Sequence, residues 1–197
     1  MHKIAVIGLG YVGLPISLTI SKNYETLGYD INKIRISQLR KNIDNNNEFE
    51  KRDFLNKKIK FTTNIKDLSK CNVYIICVPT PVKKNKIPDL NPVEKSFNII
   101  SKVIKKHDIV ILESTVYPGI TKKYSKSLEQ KTGLKNNLDF HICYSPERIN
   151  PGDKKNSLTK INKIIAYEGK SLKIKKKIIN IYSKLSKKLI FSNKINE

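Results

Sequence analysis

The sequence predicts an α/β protein on a doubly wound parallel sheet, and three observations carry that prediction. Short apolar runs of strand character alternate with helical stretches along the chain. The first two such strands flank a Gly8-x-Gly10-x-x-Gly13 turn that opens a helix. Some runs, above all Val73-Tyr74-Ile75-Ile76-Cys77-Val78, are continuously apolar rather than alternating, as central parallel strands covered on both faces are.

Taken in order, residues 3–7 read as a strand and 11–22 as a helix, with Pro15 in its first turn, where a missing N–H costs little. A strand at 25–29 and a helix at 32–40 follow. Residues 42–58 are polar and Asn-rich, a loop with a short helix, and 59–62 is a short strand. The buried run at 72–78 is closed by Pro79-Thr80-Pro81, and a polar loop leads to a helix that Pro92 starts and that reaches residue 106. Strands at 108–112 and 140–144 bracket a helix at 121–130. The last part holds a strand at 163–167, a lysine-rich amphipathic helix at 171–185 and a strand at 189–191.

The amino-terminal turn carries chemistry. Gly8 permits the tight turn out of the strand, Gly10 lets the backbone approach a pyrophosphate, and Gly13 allows close helix packing. The helix entered through Tyr11 and Val12 aims free N–H groups and a positive dipole end at phosphates. Asp30, seventeen positions after Gly13, ends the second strand. Its carboxylate suits a ribose 2′-hydroxyl and repels a 2′-phosphate, which favours NAD over NADP. Arg35 is the reservation, since an arginine nearby can accommodate that phosphate.

Composition bounds the partners. The chain has 197 residues and a formal charge of +22, but only four of its 39 basic residues are arginines. Lysines spread over helix faces and loops read as solvated surface, not as a specific nucleic-acid site, although loose binding to polyanions follows from the charge. The three cysteines, Cys71, Cys77 and Cys143, form no C-x-x-C pair and read as buried structural thiols, and the three histidines show no metal-ligand spacing. With no membrane-spanning run and no signal peptide, a cytoplasmic protein is expected.

Three more motifs end predicted strands: Cys77-Val78-Pro79-Thr80-Pro81, Glu113-Ser114-Thr115-Val116-Tyr117-Pro118-Gly119, and Tyr144-Ser145-Pro146-Glu147-Arg148-Ile149-Asn150-Pro151-Gly152. With the glycine turn they resemble the UDP-glucose/GDP-mannose dehydrogenase family, and the last motif is similar to the branch acting on UDP-N-acetylhexosamines. The resemblance implies oxidation of a UDP-sugar at C6 to the uronic acid, for surface polysaccharides, with two NAD reduced and a cysteine trapping the aldehyde. It places Thr80 and Thr115 at the nicotinamide, with Thr115 counted among the catalytic groups. Glu147 becomes the acid/base that handles water, and Arg148 and Ile149 contact the sugar nucleotide. It also implies homo-oligomers.

The resemblance covers the amino-terminal half of a family member. Residues 1–150 are the NAD-binding Rossmann domain and 151–197 its remaining part, ending before the family's central helix and second domain. No cysteine stands in the Gly-Gly-x-Cys context of the family nucleophile. The expectation is a cofactor-binding half, with a separate chain as one way to complete it. The alternative is a non-catalytic dinucleotide-binding module or a degenerate remnant.

Overall fold

In the computed structural model, residues 3–55, 57–84, 86–146 and 162–195 are described. One eight-stranded sheet organises them, in the order β3-β2-β1-β4-β5-β6-β7-β8. The strands are β1 (Lys3–Ile7), β2 (Glu25–Tyr29), β3 (Ile59–Thr62), β4 (Val73–Ile76), β5 (Ile109–Leu112), β6 (His141–Tyr144), β7 (Lys163–Ala166) and β8 (Leu189–Ser192). The helices are α1 (Gly13–Ile20), α2 (Lys33–Arg40), α3 (Ile65–Leu68), α4 (Asn91–Ile100), α5 (Ile120–Thr132) and α6 (Leu172–Tyr182), with a 3-10 turn at Lys51–Phe54.

The first six strands are parallel and reproduce the 3-2-1-4-5-6 order of dinucleotide-binding folds. β4, β5 and β6 are buried along their whole length, which their continuous apolar runs require. Side chains alternate between two cores. Ile4 and Val6 of β1 face α1, α2 and α6, while Ala5 and Ile7 face α4 and α5. On the second face the rings of Phe97 and Tyr124 stack at 4.8 Å between centroids, joining α4 to α5.

Four differences from the sequence reading have local or long-range causes. α1 begins at Gly13, so Tyr11 and Val12 belong to the turn before it. α4 stops at Ile100 rather than 106, because the chain must turn back into β5: Asp108 accepts the Lys105 N–H at 2.8 Å and closes that turn. The short α3 was not anticipated, and it is capped by Asn64, whose side chain accepts the Lys66 N–H. The sheet is not parallel throughout. β7 pairs antiparallel with β6 through Tyr144 and Ala166, and α6 then returns the chain so that β8 runs parallel to β7.

Candidate dinucleotide site

The glycine turn is shaped by three contacts. Gly8 has φ +90°, a left-handed conformation, and a methyl group there would sit 2.8 Å from the Cys77 carbonyl oxygen. The Gly8 N–H donates to the Tyr29 carbonyl at 2.9 Å and ties the turn to β2. A methyl on Gly13 would lie 1.7 Å from the Gly8 carbonyl oxygen, whereas one on Gly10 would meet nothing within 4 Å. α1 therefore starts directly beneath an open turn, and no side chain caps its N-terminus. The turn that leads into α1, Gly8–Tyr11, faces an open space at the positive end of the helix dipole, the setting in which helix termini bind phosphates.

That space is a cavity of about 470 Å³ at the carboxyl ends of β1, β2 and β4, where the strand order reverses. Gly8–Tyr11 form one wall and Tyr29–Asn32 another; Val78, Pro79 and residues of α4 close the far side. Asp30 reaches back to the turn: its Oδ2 accepts the Leu9 N–H at 2.8 Å and its Oδ1 the Asn32 N–H at 2.9 Å. Arg35 approaches the same residue from the other side, its Nε donating to the Leu9 carbonyl at 3.0 Å. Arg35 is buried, and its Nη1 is paired with Asp44 Oδ1 at 2.6 Å. Asp30 is placed by the end of β2, and Arg35 by α2, whose first turn is capped by the Asn32 side chain.

Thr80 and Thr115 stand further along the strand ends, on the loops after β4 and β5; Thr80 is half-buried and Thr115 exposed, and neither lines the cavity. The two loops are joined by Ser114 Oγ, which donates to the Val78 carbonyl at 2.6 Å. Glu147, Arg148 and Ile149 lie outside the described residues. Sequence reasoning missed a buried polar cluster beside this end of the sheet. Glu113 is fully buried, pairs with the Nζ of buried Lys163, and accepts the Tyr182 hydroxyl at 2.5 Å. Only the apolar company of Lys163 in the run Lys163-Ile164-Ile165-Ala166 hinted that it was not a surface lysine.

A family model describing the NAD-binding domain of the UDP-glucose/GDP-mannose dehydrogenase family matches residues 2–186. The chain belongs to this family. Among its relatives, a UDP-N-acetyl-D-glucosamine 6-dehydrogenase of Pseudomonas aeruginosa is 49% identical over 164 residues, which is 82% of this chain and 39% of that protein. One of the same name from Salmonella typhi is 43% identical over 185 residues, 93% of this chain and 43% of that protein. The solved structure of a UDP-D-ManNAc dehydrogenase from Pyrococcus horikoshii superposes with a TM-score of 0.86 at 32% identity, covering 97% of this chain and 47% of that one. The chain thus spans less than half the length of each of these relatives.

As a member of this family the chain has NAD as its cofactor, and the cavity fits it: an uncapped helix start, an open position at Gly10, and a carboxylate two elements away for the ribose. The three cysteines are all buried. Burial pushes the Cys71 thiol up to about 11 and the Cys143 thiol higher still, which keeps them protonated and poor nucleophiles. No group of three metal-ligating side chains occurs among the described residues, and no helix among them is long and apolar enough to cross a membrane.

Proposed function

We propose that the chain is the cofactor-binding half of an NAD-dependent UDP-N-acetylhexosamine 6-dehydrogenase. The observation that carries this reading is the cavity at the sheet's switch point, with Asp30 fixed against the glycine turn by the Leu9 amide. In this reading the amides at the start of α1 hold the pyrophosphate and Gly10 leaves room for it. The free lone pairs of Asp30 accept the ribose hydroxyls. When bound, NAD accepts the hydride released at the sugar C6.

Thr80 and Thr115 orient the nicotinamide end, and the Ser114 bond to Val78 keeps their loops together. Glu147 handles water, and Arg148 and Ile149 contact the sugar nucleotide; the motif Pro146-Glu147-Arg148-Ile149-Asn150-Pro151-Gly152 supports these roles. Residues 1–150 form the core of the cofactor domain and 151–197 complete it. None of the three cysteines is assigned as the nucleophile, since all are buried in the cores. The names of the relatives support a UDP-N-acetylhexosamine as substrate.

Calorimetry of NAD binding to the wild-type chain and to Asp30→Ala tests this. Losing hydrogen bonds from a charged acceptor loosens binding by about 10- to 100-fold. Equal affinity in the two proteins, or none in the wild type, overturns the reading. The same samples are tested for NADH formation with UDP-N-acetylglucosamine. Binding without turnover matches a cofactor half.

A further inference from the structure

We propose that Asp44 sets the dinucleotide preference of this site by engaging the guanidinium of Arg35, so that it is not offered to a 2′-phosphate. The inference rests on the reading of the cavity as an NAD site. Asp30 and Arg35 converge on one residue: the Leu9 N–H donates to Asp30 and the Leu9 carbonyl accepts from Arg35 Nε. The guanidinium is therefore held one residue's width from the carboxylate expected at the ribose, and both side chains line the cavity. An arginine in that position is what a 2′-phosphate needs, because its planar fork can grip two phosphate oxygens at once.

In this chain the fork is already committed. Nη1 is ion-paired to Asp44 at 2.6 Å, with side-chain exposures of 10% and 0%. Nη2 is buried and has no hydrogen-bond partner among the described residues, so neither nitrogen is presented to a ligand. Asp44 is itself fixed. Its Oδ1 also accepts the Asn46 N–H at 3.2 Å, and its Oδ2 accepts the Glu48 and Phe49 N–H groups at 3.1 and 3.2 Å. The loop over 42–50 thus folds around this carboxylate and clamps the arginine. With its charge matched by Asp44, the Arg35 guanidinium offers no uncompensated positive charge beside Asp30 for a further phosphate.

The experiment measures the Kd of NAD and of NADP by calorimetry for the wild type, Asp44→Asn, Arg35→Gln and the double variant. The readout is the NADP-to-NAD ratio of Kd within each protein, which is insensitive to the fraction folded. Asp44→Asn is expected to lower this ratio by about tenfold or more, the scale of one charge-assisted hydrogen bond. The double variant is expected to lose that gain, because it depends on Arg35. An unchanged ratio in Asp44→Asn with NAD still bound overturns the proposal, as does a gain that survives without Arg35. If Asp44→Asn does not fold, Arg35→Gln decides. An arginine already spent gives NADP nothing to lose, so the ratio stays within about threefold of the wild type, and a rise of about tenfold overturns the proposal. Absence of NAD binding by the wild type would instead sink the site reading itself.

Discussion

Gly10 and Gly13 stand three positions apart in one turn, yet a methyl group at each would meet opposite surroundings. At Gly13 it would lie 1.7 Å from a backbone carbonyl, and at Gly10 in open space. Gly13→Ala is therefore expected to cost roughly 3 kcal/mol or more of stability, since backbone must move. Gly10→Ala is expected to leave the melting temperature within about 2 °C of the wild type while weakening NAD by about tenfold or more, because the methyl occupies the space left for the pyrophosphate. Thermal melts and calorimetry on the two variants separate packing from binding. The spacing alone assigns close packing to Gly13 and close ligand approach to Gly10, so this much was legible. Gly28 was not: a methyl there would meet the Phe61 ring at 2.7 Å, a contact made only when β2 and β3 lie side by side. The commitment of Arg35 to Asp44 was equally hidden, since nothing local in the Asn-rich stretch says which acid an arginine nine residues away will meet.

At the scale of elements, the reversed β7–α6–β8 unit is fastened to the parallel sheet by buried polar groups. Glu113 follows β5, Lys163 opens β7 and Tyr182 ends α6, so one carboxylate joins three elements. Lys163→Met, which removes the Lys163 cation from buried Glu113, is expected to cost about 3–5 kcal/mol, and Glu113→Leu with Lys163→Met to recover part of that loss. Chemical denaturation measures both. The second fastening is the contact between Tyr167 after β7 and His141 of β6, 2.9 Å from hydroxyl to Nδ1. Burial, with smaller contributions from His107 and Lys177, pulls the His141 pKa below its ordinary 6.5. As pH falls the unfolded chain takes the proton first, so stability is whole above about 6.5 and declines below it. Melts from about pH 8 to about pH 5 should show this decline, and His141→Asn should flatten it. The alternation of apolar runs announced every one of these strands, but periodicity carries no direction. Only the pairing of Tyr144 with Ala166 reveals that β7 runs backwards.

For the whole molecule, charge is the dominant surface property. A groove of about 650 Å³ beside edge strand β3 gathers Lys3, Arg40, Lys57, Lys58, Lys60 and Lys70 against the acids Glu25 and Asp67, and none of these lines the dinucleotide cavity. With a net charge of +22, the chain is expected to bind heparin or mixed-sequence DNA at low salt and to release it steeply as salt rises, while NAD affinity changes little. Retention that persists at about 1 M salt, where screening is nearly complete, would contradict a purely electrostatic origin. The sequence by itself determined the α/β class, the positions of the strands, the glycine turn and the cofactor it serves, because each is written among near neighbours by periodicity and turn chemistry. The tertiary structure alone decided the reversal at β7, the burial of Lys163 against Glu113 fifty residues away, and the locking of Arg35 by Asp44. Those depend on which charges and strand edges the folded chain brings together out of water, and no local pattern encodes that meeting.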